Sequence, residues 1–558
     1  MKYNFLIVLF LSLFSPSFAQ NEGTGIINVD EYFRRRLLLS STIDFDNFFL
    51  RNSSNLSKNF FLNQDWKNMD KDVLYFGLLP VFSFNKYESK RPYFSGEYGS
   101  IPSSGFQTYL STGFYAKIRI FTLMFQPEYV FANNLSFEGF SDNFSASEIS
   151  NRFLYWNVGD SPERFGNTPY SKFFLGQSSF TVRFGSFDFG LGTKNYWWGP
   201  GQWNSLIFSN NAPGFPHLSL NTFKPIKTFL GSFEGQLLSG RLESSGFSAV
   251  QDNNLNSNYF TPISADWRYL NGFILNYNLK WIPGLSLGFA RTYQYYNSDR
   301  PKDFYGWFPV FEPMVKENFF SNGNSVIYDD RKQSQQITVF GSFKSLNSKA
   351  EIYFQFGRRD HSLNWREFIL NPEHARAFQV GFIKLSHFVG TPKLLQVRGE
   401  ITHQKESVNR YLRYELGSGI TWHTHGHVRG FTNYGQPMGV GIGTGSNVQT
   451  LEVSVVEDWN KWGILFERLE NNQDFYYRAL GQQKERKPWI DWSTALLWNT
   501  SYKDLFISAR LQGTYARNYQ WGVSETSIPE FPVSQNLFSV HSQVNLIYFW
   551  ERSLLKKD

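Results

Sequence analysis

A segment rich in tryptophan, glycine and proline runs from Lys194 to Lys224 and breaks the alternating pattern of the surrounding chain. Gly199-Pro200-Gly201 within it requires a tight turn. The aromatic and imidazole side chains around that turn are Trp197, Trp198, Trp203 and His217. Sugar C–H faces stack on aromatic rings and sugar hydroxyls bond to polar side chains, so the segment predicts a carbohydrate-binding surface. The alternative is that these tryptophans are packing residues or lie at a membrane interface.

A second segment, Arg358 to Gln379, concentrates arginine, histidine and carboxylate side chains between two alternating stretches, which predicts a hairpin loop. Its predicted binding residues are Arg359, His361, Glu373, His374 and Arg376. Arginine forks bind carboxylates through paired hydrogen bonds, so the loop fits an acidic polysaccharide. The alternative is a network of ion pairs that only fixes the conformation of the loop.

A third segment, Trp422 to Asn447, contains His423, His425 and His427 in alternation, followed by alternating glycines. Three imidazoles on one face of a bent strand could bind zinc, but no carboxylate lies nearby in the sequence to orient them. The glycines allow close approach of a backbone or a ligand. No phosphate-binding lysine follows them. We therefore predict neither a metal nor a cofactor.

Motifs for catalysis are missing from the sequence. It contains no Gly-x-Ser-x-Gly, no His-Glu-x-x-His and no cysteine. An enzyme hypothesis would assign acid–base chemistry on a glycan to Glu373 or Glu367. Nothing in the spacing selects a carboxylate pair, so the sequence favours a protein that is not an enzyme.

The composition of the chain is typical of an outer-membrane β-barrel. Aromatic residues make up 19% of its 558 residues, yet the mean hydropathy is −0.38. Barrel strands combine these properties, because lipid-facing apolar residues alternate with polar residues in the lumen. The formal net charge of +7 is scattered along the chain, which excludes a nucleic-acid-binding stripe. A secreted β-sandwich or propeller is the competing fold.

The first residues predict export. Lys2 precedes an apolar run from Phe5 to Phe14, and Ser17-Phe18-Ala19 follows with small residues at a cleavage site. The run is too short to cross a bilayer as a helix. We predict a signal peptide over residues 1–19 that is cleaved after Ala19. The mature chain is then expected to reach the outer membrane.

Residues 20–75 lack the alternation and predict a separate N-terminal region. The stretch from Val29 to Ser41 contains no proline or glycine, and Asp30 can cap it, so it predicts a short helix. Such a helix is periplasmic or enters the barrel lumen as a plug. Its three arginines, Arg34, Arg35 and Arg36, are interpreted as a solvated face.

Residues 76–558 alternate with a period of two. Apolar and polar side chains alternate in Ile337–Phe343 and in Ala350–Phe356, with a short polar turn between them. Val540 to Trp550 forms an aromatic amphipathic strand near the C-terminus, as expected where the last strand closes a barrel. The length predicts roughly 16 to 20 antiparallel strands, that is, a transmembrane barrel of the all-β class.

The three segments resemble the signature of the Wzi-like capsule assembly family, and their order along the chain matches it. The residues that carry the resemblance are Trp198 to Gly201, Ser209 to Ala212, Pro216 to Leu220, Asn371 to Ala377, and His423 to Ser446 with Gly430-Phe431 and Gln436 to Gly439.

The resemblance implies an outer-membrane barrel of roughly 18 strands with a helical element at its periplasmic side. It also implies a lectin-like, non-enzymatic role in attaching or organising capsular or extracellular polysaccharide at the cell surface. The expected partners are that polysaccharide and outer-membrane lipid, with no nucleic acid, for a monomeric protein. The alternative function is a porin-like channel for small solutes, which requires an open lumen.

Overall fold

The computed structural model describes residues 27–40, 75–93, 95–263, 266–315, 332–360, 362, 364–407, 420–524, 526–528 and 530–550. Its main sheet contains 21 hydrogen-bonded segments. Three strands are each interrupted once, so these segments make 18 barrel strands, because 21 − 3 = 18. Neighbouring strands are antiparallel. The predicted all-β barrel of roughly 18 strands is confirmed.

The barrel strands, numbered in chain order, have the following bounds: β1 Tyr75–Glu88, β2 Gly105–Ile118, β3 Phe121–Phe125 with Glu128–Ala132, β4 Tyr170–Phe174 with Ser179–Phe184, β5 Phe187–Gly192, β6 His217–Thr222 with Ile226–Lys227, β7 Gly231–Leu242, β8 Arg268–Leu279, β9 Leu285–Tyr296, β10 Ser334–Ser345, β11 Ala350–Arg359, β12 Arg376–His387, β13 Leu394–His403, β14 Asn447–Glu457, β15 Asn460–Glu470, β16 Ile490–Tyr502, β17 Leu505–Arg517 and β18 Leu537–Tyr548.

The last strand closes the barrel. β18 pairs antiparallel with β1, from Val81 opposite Tyr548 to Glu88 opposite His541. Closure leaves this sheet without an edge whose backbone groups lack partners, which a β-protein in lipid requires. The aromatic amphipathic stretch near the C-terminus therefore has the predicted role.

The two faces of each strand differ as the alternating pattern predicts. On β11, Ile352 and Phe354 are exposed on the outer face, whereas Glu351, Tyr353 and Gln355 are buried on the inner face. Apolar side chains on the outside match the hydrocarbon of a bilayer, and polar side chains inside provide hydrogen-bonding groups for whatever fills the lumen.

The connections define the orientation of the barrel. Turns of two to six residues, such as 119–120 and 388–393, join strands at one end. Long loops, such as 133–169 and 404–446, join them at the other. Outer-membrane barrels have short turns on the periplasmic side and longer loops outside the cell, so the long-loop end is extracellular.

Helices and a small hairpin lie in the lumen and in the loops. The α-helices are α1 Ile27–Leu39, α2 Ala146–Asn157, α3 Asn253–Tyr259, α4 Phe304–Trp307, α5 Trp365–Leu370 and α6 Gln473–Phe475. The 3-10 turns are Asn297–Asp299, Pro309–Phe311 and Tyr519–Trp521, the π turn is Tyr476–Leu480, and Thr432–Asn433 pairs with Gln436–Pro437. Within the described part of the chain, no helix is long and apolar enough to cross a membrane.

Helix α1, called here the plug helix, lies inside the periplasmic end of the barrel. Tyr32 donates a hydrogen bond of 2.7 Å to Asp458, which lies in the short turn between β14 and β15. Leu38 is fully buried against Ile383 and Leu385 of β12. The helix predicted within Val29–Ser41 is found at Ile27–Leu39, and it occupies the lumen; Ser41 lies outside the described residues.

Buried ion pairs fix the plug helix. Glu31 lies 2.7 Å from Lys461 and 3.1 Å from Arg398, both on the inner face of the barrel. Arg35 is 3% exposed and pairs with Glu31, and Arg34 pairs with Glu351 at 3.0 Å. The interpretation of Arg34 to Arg36 as a solvated face is therefore wrong, because only Arg36 is exposed. Arg34 and Arg35 instead form ion pairs with buried carboxylates inside the barrel.

Candidate functional site

The tryptophan-rich segment folds into the barrel instead of forming a surface loop. Residues 193–216, called here the first inserted segment, leave β5 at the extracellular end and return to β6. The carbonyl of Pro200 accepts a hydrogen bond from Arg34 of the plug helix. The backbone N–H of Gln202 donates to Glu400 on the inner wall at 2.6 Å. The segment therefore descends through the lumen to the plug.

Gly199 makes this descent possible. Its φ is +117°, in a region that side chains rarely adopt, and an added Cβ would lie 2.0 Å from the amide nitrogen of Gln355 on the wall. Only glycine fits between the segment and β11 at this position. The predicted tight turn thus serves close approach to the barrel wall.

The histidine- and glycine-rich segment fills the lumen beside it. Residues 420–446, the second inserted segment, contact the first through the indole N–H of Trp422, which donates to the carbonyl of Leu206 at 3.1 Å. The N–H of Ser209 donates to the carbonyl of Met438 at 2.9 Å. Arg268 of β8 donates to the carbonyls of Arg429 and Thr432. The two segments form one packed body inside the barrel.

Several residues predicted to bind carbohydrate lie inside this body. Trp197 and Trp198 are 3% and 1% exposed. The Trp198 indole N–H donates to Gln236 of β7 at 2.7 Å, and its ring packs edge-on against Phe208. Their faces are therefore in contact with protein. Sugar binding by these two rings stays a prediction, and their burial favours a supporting role.

Trp203, His217 and Arg359 are also held by the barrel. The Trp203 ring is half-buried under the Arg398 guanidinium, 4.5 Å from its centroid. The His217 ring nitrogens contact the carbonyl of Phe215 at 2.7 Å and the hydroxyl of Tyr196 at 2.9 Å.

Arg359 donates to Ser334 and to the carbonyl of Trp422. Arg359, the last residue of β11, therefore links this strand to the second inserted segment.

The remaining predicted residues lie in or beside the extracellular loop 360–375. Glu373, His374 and Arg376 are half-buried, and His361 lies outside the described residues. The His374 ring is 3.4 Å from Asp360, and His425 of the second inserted segment is 3.7 Å from the same carboxylate. The structure therefore joins the second and third sequence segments through Asp360, while Trp198 lies in the body below.

The Asp360 cluster links the two segments through electrostatic contacts. Among the described residues, no group of three or more ligand side chains could hold a metal ion. Burial alone would raise the pKa of Asp360, but hydrogen bonds from His374 and His425 lower that pKa well below its ordinary value. Asp360 also has a φ of +74°, so the contacts hold the backbone in a left-handed conformation.

A cavity of about 230 Å³ lies above the inserted body, among the extracellular loops. Residues from the loops after β1, β3, β15 and β17 and from both inserted segments line it. Its aromatic members are Phe137, Tyr155, Trp156, Phe165, Trp489 and Tyr519. It is smaller than the roughly 300–1,000 Å³ of typical small-molecule pockets, so its size suits a single sugar ring.

Polar groups of the cavity lack partners. The Gln436 side chain is 1% exposed, and neither its carbonyl oxygen nor its amide nitrogen has a hydrogen-bond partner in the described part of the chain. The same holds for both ring nitrogens of His423 and for the side-chain oxygen of Asn211. Burial, followed by the Arg359 cation, lowers the pKa of His423 to about 3, so the ring is neutral. Buried groups without partners are costly, and a polar ligand would satisfy them.

Two arginines lie at the cavity. Arg91 pairs with the buried carboxylate of Asp491 at 2.8 Å and stacks on Trp489 and Tyr519. Arg152 stacks on Trp156, with its guanidinium carbon 4.2 Å from the ring centroid. Arginine on aromatic faces is favourable, and the stacked guanidinium keeps its N–H edges available for a ligand.

Sequence reasoning missed the residues of this cavity, apart from those in the inserted segments. One local signal was available. Ser145 and Glu148 form a capping box at the start of α2, the helix that carries Arg152 and Trp156. The contributions of Arg91, Trp489 and Tyr519 have no local signature, because each comes from a different extracellular loop.

Comparison with known proteins agrees with this architecture. The model of the family described as capsule assembly protein Wzi matches residues 87–516. Wzi of Escherichia coli, an outer-membrane protein involved in group 1 capsule assembly and described as a carbohydrate-binding β-barrel, superposes with a TM-score of 0.53 at 14% identity, covering 84% of each chain. No curated protein sequence matches this chain.

Two other solved barrels align less well. OccAB2 of Acinetobacter baumannii gives a TM-score of 0.40 at 9% identity, covering 85% of this chain and 98% of its own. A BenF-like porin of Pseudomonas fluorescens gives 0.36 at 8% identity, covering 86% and 99%. The family model spans most of the chain, including both inserted segments and loop 360–375. The chain belongs to the Wzi family of capsule assembly proteins and is an outer-membrane β-barrel.

Proposed function

We propose that this barrel binds capsular or extracellular polysaccharide in its extracellular cavity and so holds the polysaccharide at the cell surface. One observation carries the proposal: the lumen is packed from the plug helix upward, and the cavity above this packing is lined by aromatic rings and by buried polar groups that have no hydrogen-bond partner among the described residues. A glycan supplies what these groups lack, because its C–H faces cover the rings and its hydroxyls bond to the amides.

The residues predicted from the sequence take two roles in this proposal. Trp197, Trp198, Trp203, His217 and Arg359 hold the inserted body that forms the floor of the cavity. Glu373, His374 and Arg376, with His361 in the same loop, extend the binding surface at the extracellular end. The outer surface contacts lipid, and a single chain closes the barrel, so a monomer is sufficient.

The proposed role is binding without catalysis. Hydrolysis of a glycosidic bond normally needs two carboxylates about 5–9.5 Å apart on either side of the bond. Glu163 is the one carboxylate among the described residues that line the cavity, and the carboxylate of Asp491 is engaged by the lining residue Arg91. The polysaccharide should therefore keep its chain length when incubated with the purified protein.

A channel requires space along the axis. Membership of the capsule assembly family supports polysaccharide handling and does not support the porin alternative. The plug helix and the two inserted segments occupy the lumen of the described structure.

Gln436 offers a test that separates binding from folding. Its amide has no hydrogen-bond partner among the described residues, so Gln436→Met removes no protein contact of the amide. Met also has nearly the volume of Gln, so the change should cost the fold little. Gln355 is the matched control, because its amide bonds to the N–H of Leu206 and the carbonyl of Trp198. Gln355→Met should lower stability.

The experiment uses a deletion strain complemented with each variant, and it measures cell-bound against released polysaccharide. We expect the wild-type gene to restore retention and Gln436→Met to fail at a normal level of folded protein in the outer membrane. If the deletion strain retains its polysaccharide, or if Gln436→Met restores retention fully, the proposal is wrong.

A further inference from the structure

Helix α2 holds one cation of the cavity in a fixed place. The Ser145 side chain accepts a hydrogen bond from the N–H of Glu148, and the Glu148 carboxylate accepts one from the N–H of Ser145. Both hydrogen bonds of a capping box therefore fix the start of the helix. Arg152 lies two turns further along, and its side chain reaches into the cavity. Because the helix is capped and packed through Phe153 and Trp156, the backbone position of Arg152 is fixed at the cavity.

Three aromatic rings surround the Arg152 guanidinium. Its central carbon lies 4.2 Å from the ring centroid of Trp156, 5.3 Å from that of Phe475 and 5.4 Å from that of Trp521. These contacts stabilise the cation through its faces and make no hydrogen bond to its N–H groups. In the described residues, its buried Nε has no hydrogen-bond partner.

Among the described residues, neither Glu163 nor Asp491 makes an ion pair with Arg152. Asp491 is paired with Arg91. Glu163 is attracted to Arg152, but it makes no ion pair with it within the described residues, and it accepts the N–H of Phe140 at 2.7 Å. Burial raises the pKa of Glu163 above its ordinary value. The Arg152 side chain is half-buried with a buried Nε, and it has no ion-pair partner among the described residues, so its N–H groups are available to a ligand carboxylate.

We infer that the cavity takes one acidic sugar residue of the polysaccharide, with its carboxylate bound by the Arg152 guanidinium and its ring among the aromatic side chains. The inference rests on the proposed function and adds the chemical class of the bound residue. A single uncompensated cation matches the single negative charge of a hexuronic acid. The unpaired amide of Gln436 is available for its hydroxyls. The planar fork of arginine binds a carboxylate in two parallel bonds, which lysine cannot do.

The test compares the polysaccharide extracted from the producing cells with the same material after chemical reduction of its carboxylates to alcohols. Both are titrated against the full-length purified barrel, as wild type, Arg152→Gln and Arg152→Lys. Arg300→Gln is the matched control, because Arg300 also stacks on a tryptophan of an extracellular loop, 3.8 Å from the Trp307 ring, outside the cavity. Resistance of each barrel to unfolding in sodium dodecyl sulfate reports folding.

Charge-assisted hydrogen bonds set the expected size of the effect. We expect reduction of the carboxylates to weaken wild-type binding about 10- to 100-fold. Arg152→Gln should bind the native glycan with the same loss and should no longer distinguish the two preparations. Arg152→Lys should fall between them, and Arg300→Gln should behave as wild type.

Three results would overturn the inference. Equal wild-type affinity for both preparations would show that no carboxylate is recognised, while the proposed function would stand. A folded Arg152→Gln barrel that still distinguishes the preparations would place the carboxylate elsewhere. If wild type binds neither preparation, the proposed function fails together with the inference.

Discussion

Replacing Glu31 with glutamine should release the plug helix from the periplasmic end of the barrel. Glu31 is the anion shared by Arg35, Arg398 and Lys461, and Glu452 is the second anion of the group. These side chains are 4% exposed or less, so solvent screens their charges weakly. The cluster carries three cations and two anions, a net charge of 3 − 2 = +1. Glutamine at position 31 raises this to 3 − 1 = +2.

The magnitude follows from leaving buried cations without their anion. Removing one partner of a buried ion pair costs about 3–5 kcal/mol, which lowers the docking equilibrium constant of the helix by a factor of about 10² to 4 × 10³. The rate of trypsin cleavage measures this equilibrium, because trypsin can cleave after Arg34, Arg35 and Arg36 only when the helix leaves the lumen. Cleavage of the purified full-length barrel, followed by mass spectrometry, gives the rate for each variant.

Two further variants make the test specific. Glu457→Gln removes a carboxylate at the same end of β14, outside the ion cluster, and should leave the cleavage rate unchanged. Combining Glu31→Gln with Lys461→Met returns the net charge of the cluster to +1 and should restore part of the protection. If Glu31→Gln resists trypsin as long as wild type, the ion cluster does not hold the plug and this reasoning is refuted.

Three other predictions concern the body inside the barrel. Trp198→Ala removes a ring that is 1% exposed and should lower the free energy of unfolding by about 3–5 kcal/mol; Trp307→Ala, at an exposed loop position, should change it by about 0.5 kcal/mol or less. Equal losses in urea unfolding would contradict the packing described here. The carboxylate of Asp360 has a lowered pKa in the folded state, so its contribution to stability is present above the unfolded value of about 3.9 and is lost as the pH falls below it. Asp360→Asn should therefore reduce the acid sensitivity of the barrel in unfolding measured between about pH 2 and 5, and an unchanged pH profile would remove Asp360 from this role. In planar bilayers the wild-type barrel should show no large, steady single-channel conductance, because the plug helix and the inserted segments fill the lumen; such a conductance would favour a channel.

The barrel could be predicted from the sequence because its signal is local. Alternation within Ala350–Phe356 depends only on which side chains face lipid and which face the lumen, and a strand alternates with a period of two wherever it lies. The helix near Val29 was predicted for the same reason. Its position was not, since Glu31 meets its partners only after residues far along the chain have formed the wall.

The site could be predicted only in part. The glycine- and tryptophan-rich segments were recognised as unusual, but composition does not show whether a ring faces ligand or protein. Trp198 is buried because Gln236 and Phe208 meet it, and Trp422 reaches Leu206 across 216 positions of the chain. The cavity draws on four extracellular loops as well, and their meeting is a property of barrel closure that no single segment encodes.

Binding of the producer's own surface polysaccharide to the purified full-length barrel, measured by titration in lipid nanodiscs, tests the central claim most directly. The account predicts saturable binding by wild type and a loss of about tenfold or more in Gln436→Met at undiminished stability, because the amide of Gln436 has no hydrogen-bond partner among the described residues and the proposed glycan would supply one. Absence of binding by folded wild-type protein, or equal binding by Gln436→Met, would contradict it.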